Sequence, residues 1–160
     1  MACWDINGKA LDQPIYNLLG GKYHETLRSY TYLYPDPNDK SRRSPFTDPE
    51  KAAESAKAHS DQGFTAIKFD PLIDVMGKED PRETPIDRLQ NGENVVRAVR
   101  EAVGSSCDIL IGTHGQTTTS SALRFARRIE EFDPLWFEEP VPPENVDEMA
   151  KIANRTTIPV

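Results

Sequence analysis

Cysteine is almost missing from this chain. Among 160 residues only Cys3 and Cys107 carry a thiol, far apart and outside any C-x-x-C pair. Neither a disulfide framework nor a structural zinc knuckle is therefore indicated. Long apolar runs are missing as well. No stretch approaches the roughly 18 residues that mark a membrane-spanning helix, and the N-terminus lacks a basic segment followed by an apolar one. A cytoplasmic protein without a membrane partner is the expectation. Positive charge is in deficit: the formal net charge is -7 and the pI is near 5.0. A broad nucleic-acid surface needs a basic stripe, so no nucleic-acid partner is expected. Neither a Rossmann glycine fingerprint after an early strand nor a Walker motif is found.

What is present is polar but foldable. Hydrophobic residues make up 37% and charged residues 28%, with 13 prolines, a balance that does not signal full disorder. The length suits about one domain with a real core. Met1, Trp4, Leu11 and Ile15 fall roughly on one helical side of an opening amphipathic segment, and Gly20 and Gly21 stop it. "LRSYTYLY", Leu27 to Tyr34, alternates like a strand.

From Asp48 the chain alternates strand and helix. An alanine-rich helix follows a cap at Thr47 or Asp48, with Pro49 at a favoured first position, and ends near Gly63. "FTAIKFDPL" reads as a strand, and "IDVMGKEDPRETPIDRLQNG" as a long irregular loop over a site or along the surface. "ENVVRAVREAVG" is a helix, "CDILIGTH" a strand, "SSALRFARRIEEF" a helix, "PLWFEEP" a strand, "ENVDEMAKIANR" a helix and "TTIPV" a further strand. This is the grammar of a parallel α/β sheet. Polar residues recur at the strand ends: Lys68 and Asp70, then His114, then Glu138 and Glu139. In a (β/α) barrel those ends form the reactive face, and four such units with one more strand make about half of a TIM-type barrel.

Each of these residues carries a chemical reading and a structural one. Lys68 and Asp70 are two apart on a strand and point the same way; they suit proton transfer or capture of a substrate carboxylate, or else form a surface pair. Glu138 and Glu139 face opposite sides, and the one at the mouth is a hard-cation ligand suited to Mg2+. Magnesium held there can stabilise an ene-diolate formed by proton loss next to a carboxylate. The structural alternative pairs them with Arg127 or Arg128. His114 shares a strand face with Gly112, Gly115 permits a sharp turn, and Gln116 can hydrogen-bond substrate hydroxyls. His24 and His59 read as structural or surface residues, and Trp4, Trp136 and Phe137 as core aromatics. Met76 carries no motif, and Arg42 and Arg43 are too short a run for an anion site.

Four segments in order, "WDINGKALDQPIYNLLGG", "AIKFDP", "ILIGTHGQ" and "LWFEEPVPPEN", resemble the enolase superfamily. More narrowly the chain resembles its mandelate racemase/muconate lactonizing branch and the galactonate dehydratase-like acid-sugar dehydratases. The resemblance implies an α+β capping domain before the barrel, with residues 1–26 its C-terminal part and 27–160 the first half of the barrel. It implies Mg2+, a sugar-acid substrate, abstraction of the proton alpha to the carboxylate and loss of hydroxide. It also implies a parent protein that is a homo-oligomer. Glu138 matches the second of three metal carboxylates; the third would lie beyond "TTIPV", and the base on a later strand. His114 matches the general acid for the departing hydroxyl. Lys68 matches the first lysine of a K-x-K pair, whose second position is Asp70 here, which leaves Lys68 as a substrate binder or electrostatic helper. Gly112 stands where the family has its first metal aspartate. Either His114 turns to the metal, or water fills the place, or the site is degenerate. Anhydro-sugar acid cycloisomerases of the same superfamily share the glycine-bearing "GTHGQ" segment and are the alternative, as is a barrel fragment that is inactive alone.

Overall fold

A computed structural model describes residues 1–35, 37, 38, 40, 44–73 and 83–160. Arg42, Arg43 and Met76 lie outside the described residues. Two N-terminal helices, α1 (Ala2–Ala10) and α2 (Ile15–Leu18), precede a βα succession: β1 (Thr31–Tyr32), α3 (Pro49–Asp61), β2 (Ala66–Phe69), α4 (Ile86–Val103), β3 (Asp108–Gly112), α5 (Thr119–Ile129), β4 (Trp136–Glu138) and α6 (Val146–Ala153). The four strands are parallel and lie in chain order β1-β2-β3-β4. This is the α/β arrangement of a partial (β/α) barrel preceded by helices. Among the described residues no helix is long and apolar enough to cross a membrane.

Strand register decides which side chains meet. Phe69, Ile111 and Phe137 are neighbours in one row, are fully buried, and belong to the core between sheet and helices. Phe125 of α5 meets Phe137 with ring centroids 6.0 Å apart. Burial of one such side chain contributes about 1.5–3 kcal/mol. The alternate row, Lys68, Leu110 and Trp136, faces the other side of the sheet by strand alternation. The functional residues continue that side.

The helices form where the chain carries their signals. Asp48 caps α3, its carboxylate accepting from the N–H groups of Glu50 at 3.1 Å and Lys51 at 3.2 Å, and Ala52 and Ala56 face the core. At the opposite end of the sheet, the guanidinium of Arg100 donates to the carbonyls of Phe132, Gly104, Cys107 and Asp133 at 2.7–3.1 Å. That one side chain gathers the turns before β3 and β4, and so fixes where those strands begin.

Four expectations need correction. Residues 74–82 of the expected long loop lie outside the described residues, and "IDRLQNG" at its end is the first part of α4. A Cβ on Gly92 would come within 2.9 Å of both Leu72 and Phe125. Close helix packing demands glycine there and outweighs its helix cost of about 1 kcal/mol. The strand expected over Leu27 to Tyr34 reduces to Thr31–Tyr32. "TTIPV" is not a strand, although Phe137 N–H donates to the Pro159 carbonyl at 2.7 Å. The opening segment is two helices broken between Ala10 and Ile15, with Met1, Trp4, Ile6 and Leu11 exposed.

Candidate active site

The polar residues at the strand ends form one cluster. Beyond β2, Asp70 enters the space above β3; at the end of β4, Glu138 pairs in register with Gly112. The Lys68 ammonium donates to Glu138 Oε1, spanning β2 to β4 across β3. His114 Nε2 lies 2.8 Å from Asp70 Oδ2, and the Tyr32 hydroxyl donates to the same oxygen. Four successive strands thus each send a polar group to one edge of the sheet. The partner of Glu138 is Lys68, not Arg127 or Arg128; Arg128 instead meets Glu93 at 2.7 Å.

Local backbone geometry presents the histidine. His114 and Gly115 both adopt left-handed conformations, with φ of 51° and 69°, which turns the chain sharply after β3. Glycine suits the second position because a Cβ on Gly115 would sit 3.1 Å from Pro142 Cα. Gly115 N–H donates to the Glu139 carbonyl at 2.7 Å, and the Thr113 hydroxyl reaches the carbonyls of Glu138 and Glu139 at 2.9 and 2.8 Å. Glu139 is itself left-handed, at φ 46°. Left-handed non-glycine residues are uncommon and are held by their surroundings; here two such turns lace together. The result leaves the His114 side chain 45% exposed while its Nε2 is tied to Asp70.

Asp70 is the least exposed member, at 2%. Its Oδ2 takes both hydrogen bonds, and its buried Oδ1 has no partner among the described residues. Burial, then the hydrogen bond to and charge of Asp70, push the Tyr32 phenol far above its ordinary range, so it remains a donor. Gln116 Oε1 is a second buried acceptor without a partner among the described residues. Of the residues singled out from the sequence, Lys68 pairs with Glu138 and Asp70 with His114, and Gln116 lies on the turn after His114. His59 accordingly plays a local role, its Nδ1 2.8 Å from the Ser55 carbonyl of its own helix. Tyr32 was missed. The available signal was its place at the end of the first strand, the level at which the later strands carry polar groups.

The donor set can be tested against a divalent cation. Carboxylate oxygens suit hard cations, and Mg2+ commonly takes one or two carboxylates together with water and substrate oxygens. The cluster has Glu138 and the orphaned, buried Asp70 Oδ1 on either side of Gly112. No group of three or more potential ligands occurs among the described residues. The residues therefore fit a two-carboxylate share of such a site.

Comparison with known proteins agrees with this architecture. Residues 51–160 match the family model described as Enolase C-terminal domain-like. The D-gluconate/D-galactonate dehydratase of Picrophilus torridus is 35% identical over 147 residues, covering 90% of this chain and 34% of that protein. The D-xylonate dehydratase of Haloferax volcanii is 36% identical over 167 residues, covering 100% and 38%. Among solved structures, a mandelate racemase/muconate lactonizing enzyme-like protein from Roseovarius sp. TM1035 is 44% identical, with a TM-score of 0.89 over 99% of this chain and 40% of that one. The chain thus spans between a third and two-fifths of the length of these relatives. With the sheet order, the strand-end cluster and these matches together, the chain belongs to the enolase superfamily, in its mandelate racemase/muconate lactonizing branch.

Proposed function

We propose that the protein carrying this chain is a Mg2+-dependent acid-sugar dehydratase, in which residues 1–26 close the capping domain and 27–160 form the first half of the catalytic barrel. The observation that carries the reading is the His114–Asp70 pair standing beside the Lys68–Glu138 pair at the C-terminal edge of the parallel sheet. The names of the dehydratase relatives support the substrate class. Mg2+, when bound, supplies electrostatic stabilisation to the ene-diolate formed by proton loss next to a carboxylate.

Each residue then has a role. Glu138 holds the cation. Lys68, 11% exposed, supplies a fixed positive charge to the substrate carboxylate at low local dielectric. Nε2–H of His114 donates to Asp70, which fixes the ring and leaves Nδ1 as the nitrogen that reaches substrate. The reaction removes one proton from the carbon bearing the carboxylate and the hydroxyl from the next carbon. Acting as the imidazolium, His114 keeps Nε2–H on Asp70 and transfers its Nδ1 proton to the departing oxygen, which leaves as water, and the enol product tautomerises to a 2-keto-3-deoxy acid. Gln116 Oε1 accepts from a substrate hydroxyl. The proton-abstracting base is not assigned within these residues, so activity requires the rest of the barrel. A homo-oligomer in the cytoplasm is the proposed working form.

Gly112 favours a second reading, an anhydro-sugar acid cycloisomerase, in which His114 protonates a ring ether oxygen instead of a hydroxyl. The test incubates the product of the complete reading frame with Mg2+ and, separately, gluconate, galactonate, xylonate and 3,6-anhydrogalactonate, with products identified by mass and by reaction of the keto group. Loss of water from an aldonic acid, abolished in His114→Asn, is expected. Ring opening of the anhydro acid alone would favour the second reading, and no turnover of any of them would overturn both.

A further inference from the structure

The absent side chain at position 112 and the unpartnered oxygen of Asp70 are one feature. A Cβ built on Gly112 would lie 2.2 Å from Asp70 Oδ1, 3.4 Å from its Cγ and 3.1 Å from Lys68 Cε. The carboxylate of Asp70 therefore occupies the very space into which a side chain at residue 112 would project. Gly112 pairs in register with Glu138, so the Asp70 carboxylate stands at the level of the Glu138 strand position, displaced by one strand from its own backbone.

Such a carboxylate needs a counterpart. Asp70 is 2% exposed, and Oδ1 has no hydrogen-bond partner among the described residues. A buried carboxylate oxygen without a partner is costly. The other oxygen is doubly held, by the Tyr32 hydroxyl and His114 Nε2. One oxygen fixed by outer hydrogen bonds with the other left open is how a metal-binding carboxylate is oriented.

We infer that Asp70, reaching across from β2, is the divalent-cation ligand that Gly112 of β3 does not supply, with Tyr32 and His114 as the groups that orient it. This rests on the proposed magnesium role of Glu138. Gly112 is then an adaptation that makes room for the displaced ligand. Of the outcomes open from the sequence, neither rotation of His114 onto the metal nor a water in place of the ligand is needed.

The test measures cation affinity rather than turnover, in the product of the complete reading frame, with Mn2+ titrated by electron paramagnetic resonance and Mg2+ by competition. Asp70→Asn should weaken Mn2+ binding at least ~10-fold, the scale on which even orienting groups act. The double variant Asp70→Ala/Gly112→Asp returns a carboxylate to the same space from β3 and should recover most of that loss. A purely structural Asp70 would not be replaceable in this way. Circular dichroism checks that each variant is folded. Wild-type binding with Asp70→Asn within twofold overturns the inference alone, as does a folded double variant no tighter than Asp70→Asn. No Mn2+ binding by the wild type overturns the inference together with the magnesium role of Glu138.

Discussion

Gly112→Ala adds one methyl group and should be among the most damaging small substitutions in this chain. The new Cβ would sit 2.2 Å from Asp70 Oδ1, where ordinary contact begins near 3.4 Å. More than an ångström of movement is required. Gly112 does not occupy the left-handed region, so steric contact, not backbone strain, sets the cost. Shifting the strand brings an overpacking penalty of about 1–3 kcal/mol. Rotating Asp70 instead strains its hydrogen bonds with Tyr32 and His114, each worth about 1.5–3 kcal/mol when one partner is charged. The smaller backbone entropy of alanine in the unfolded chain returns roughly 0.5–1 kcal/mol. A net loss of about 1–2 kcal/mol is expected. Urea unfolding followed by tryptophan fluorescence, in EDTA so that cation binding contributes nothing, measures it. In an Asp70→Ala background the obstacle is gone, and the same Gly112→Ala change should cost less than about 0.5 kcal/mol, a coupling of about 1 kcal/mol between two touching residues. Equal losses in both backgrounds, or a single variant indistinguishable from wild type, would refute the account of the Gly112–Asp70 contact.

Two other perturbations probe the frame around the site. Glu130 accepts from Thr157 N–H and the Thr156 hydroxyl, both at 2.8 Å; the Thr157 backbone bond, followed by the Thr156 bond, holds its carboxyl below the ordinary 4.5. Its contribution is present above that value and lost as pH falls through the lower folded value, so Glu130→Gln should cost about 1 kcal/mol at pH 7 and progressively less below pH 4.5. Chemical denaturation across pH 2.5–7 reads this, and a deficit that persists at the acid end would contradict it. Asp48→Ala removes the cap of α3 and should destabilise by ~1 kcal/mol, while Asp48→Asn recovers most of it; equal losses in the two variants, compared by thermal melting, would show that the cap hydrogen bonds are not the cause.

Legibility followed the range of the forces. The α3 cap and its alanines, the apolar strands "AIKF" and "DILIG", and α6 behind Asn145 are local patterns, and the structure realises them with short shifts at the ends. The failures come from contacts between segments distant in the chain. "LQNG" has the composition of a turn, but Gly92 is packed against Leu72 and Phe125, and neither neighbour can be read from the glycine. "TTIPV" has strand composition but forms only one backbone bond to β4 among the described residues.

Lys68, Asp70, His114 and Glu138 were singled out in the sequence because strand ends in a βα repeat converge on one face, and strand periodicity sets which residues share it. Pairing was another matter. That Lys68 would bridge to Glu138 across an intervening strand, that Tyr32 would join the cluster, and that Asp70 would lean into the space beside Gly112 all depend on parallel register. Residues separated by 38 to 70 positions meet there. The sequence by itself determined the α/β class and the chemical types at the edge of the sheet, because these follow from local period and composition, and it carried the family through the resemblance of four ordered motifs. Only the tertiary structure decided which carboxylate stands over Gly112, since the room for it comes from a side chain that a different strand lacks.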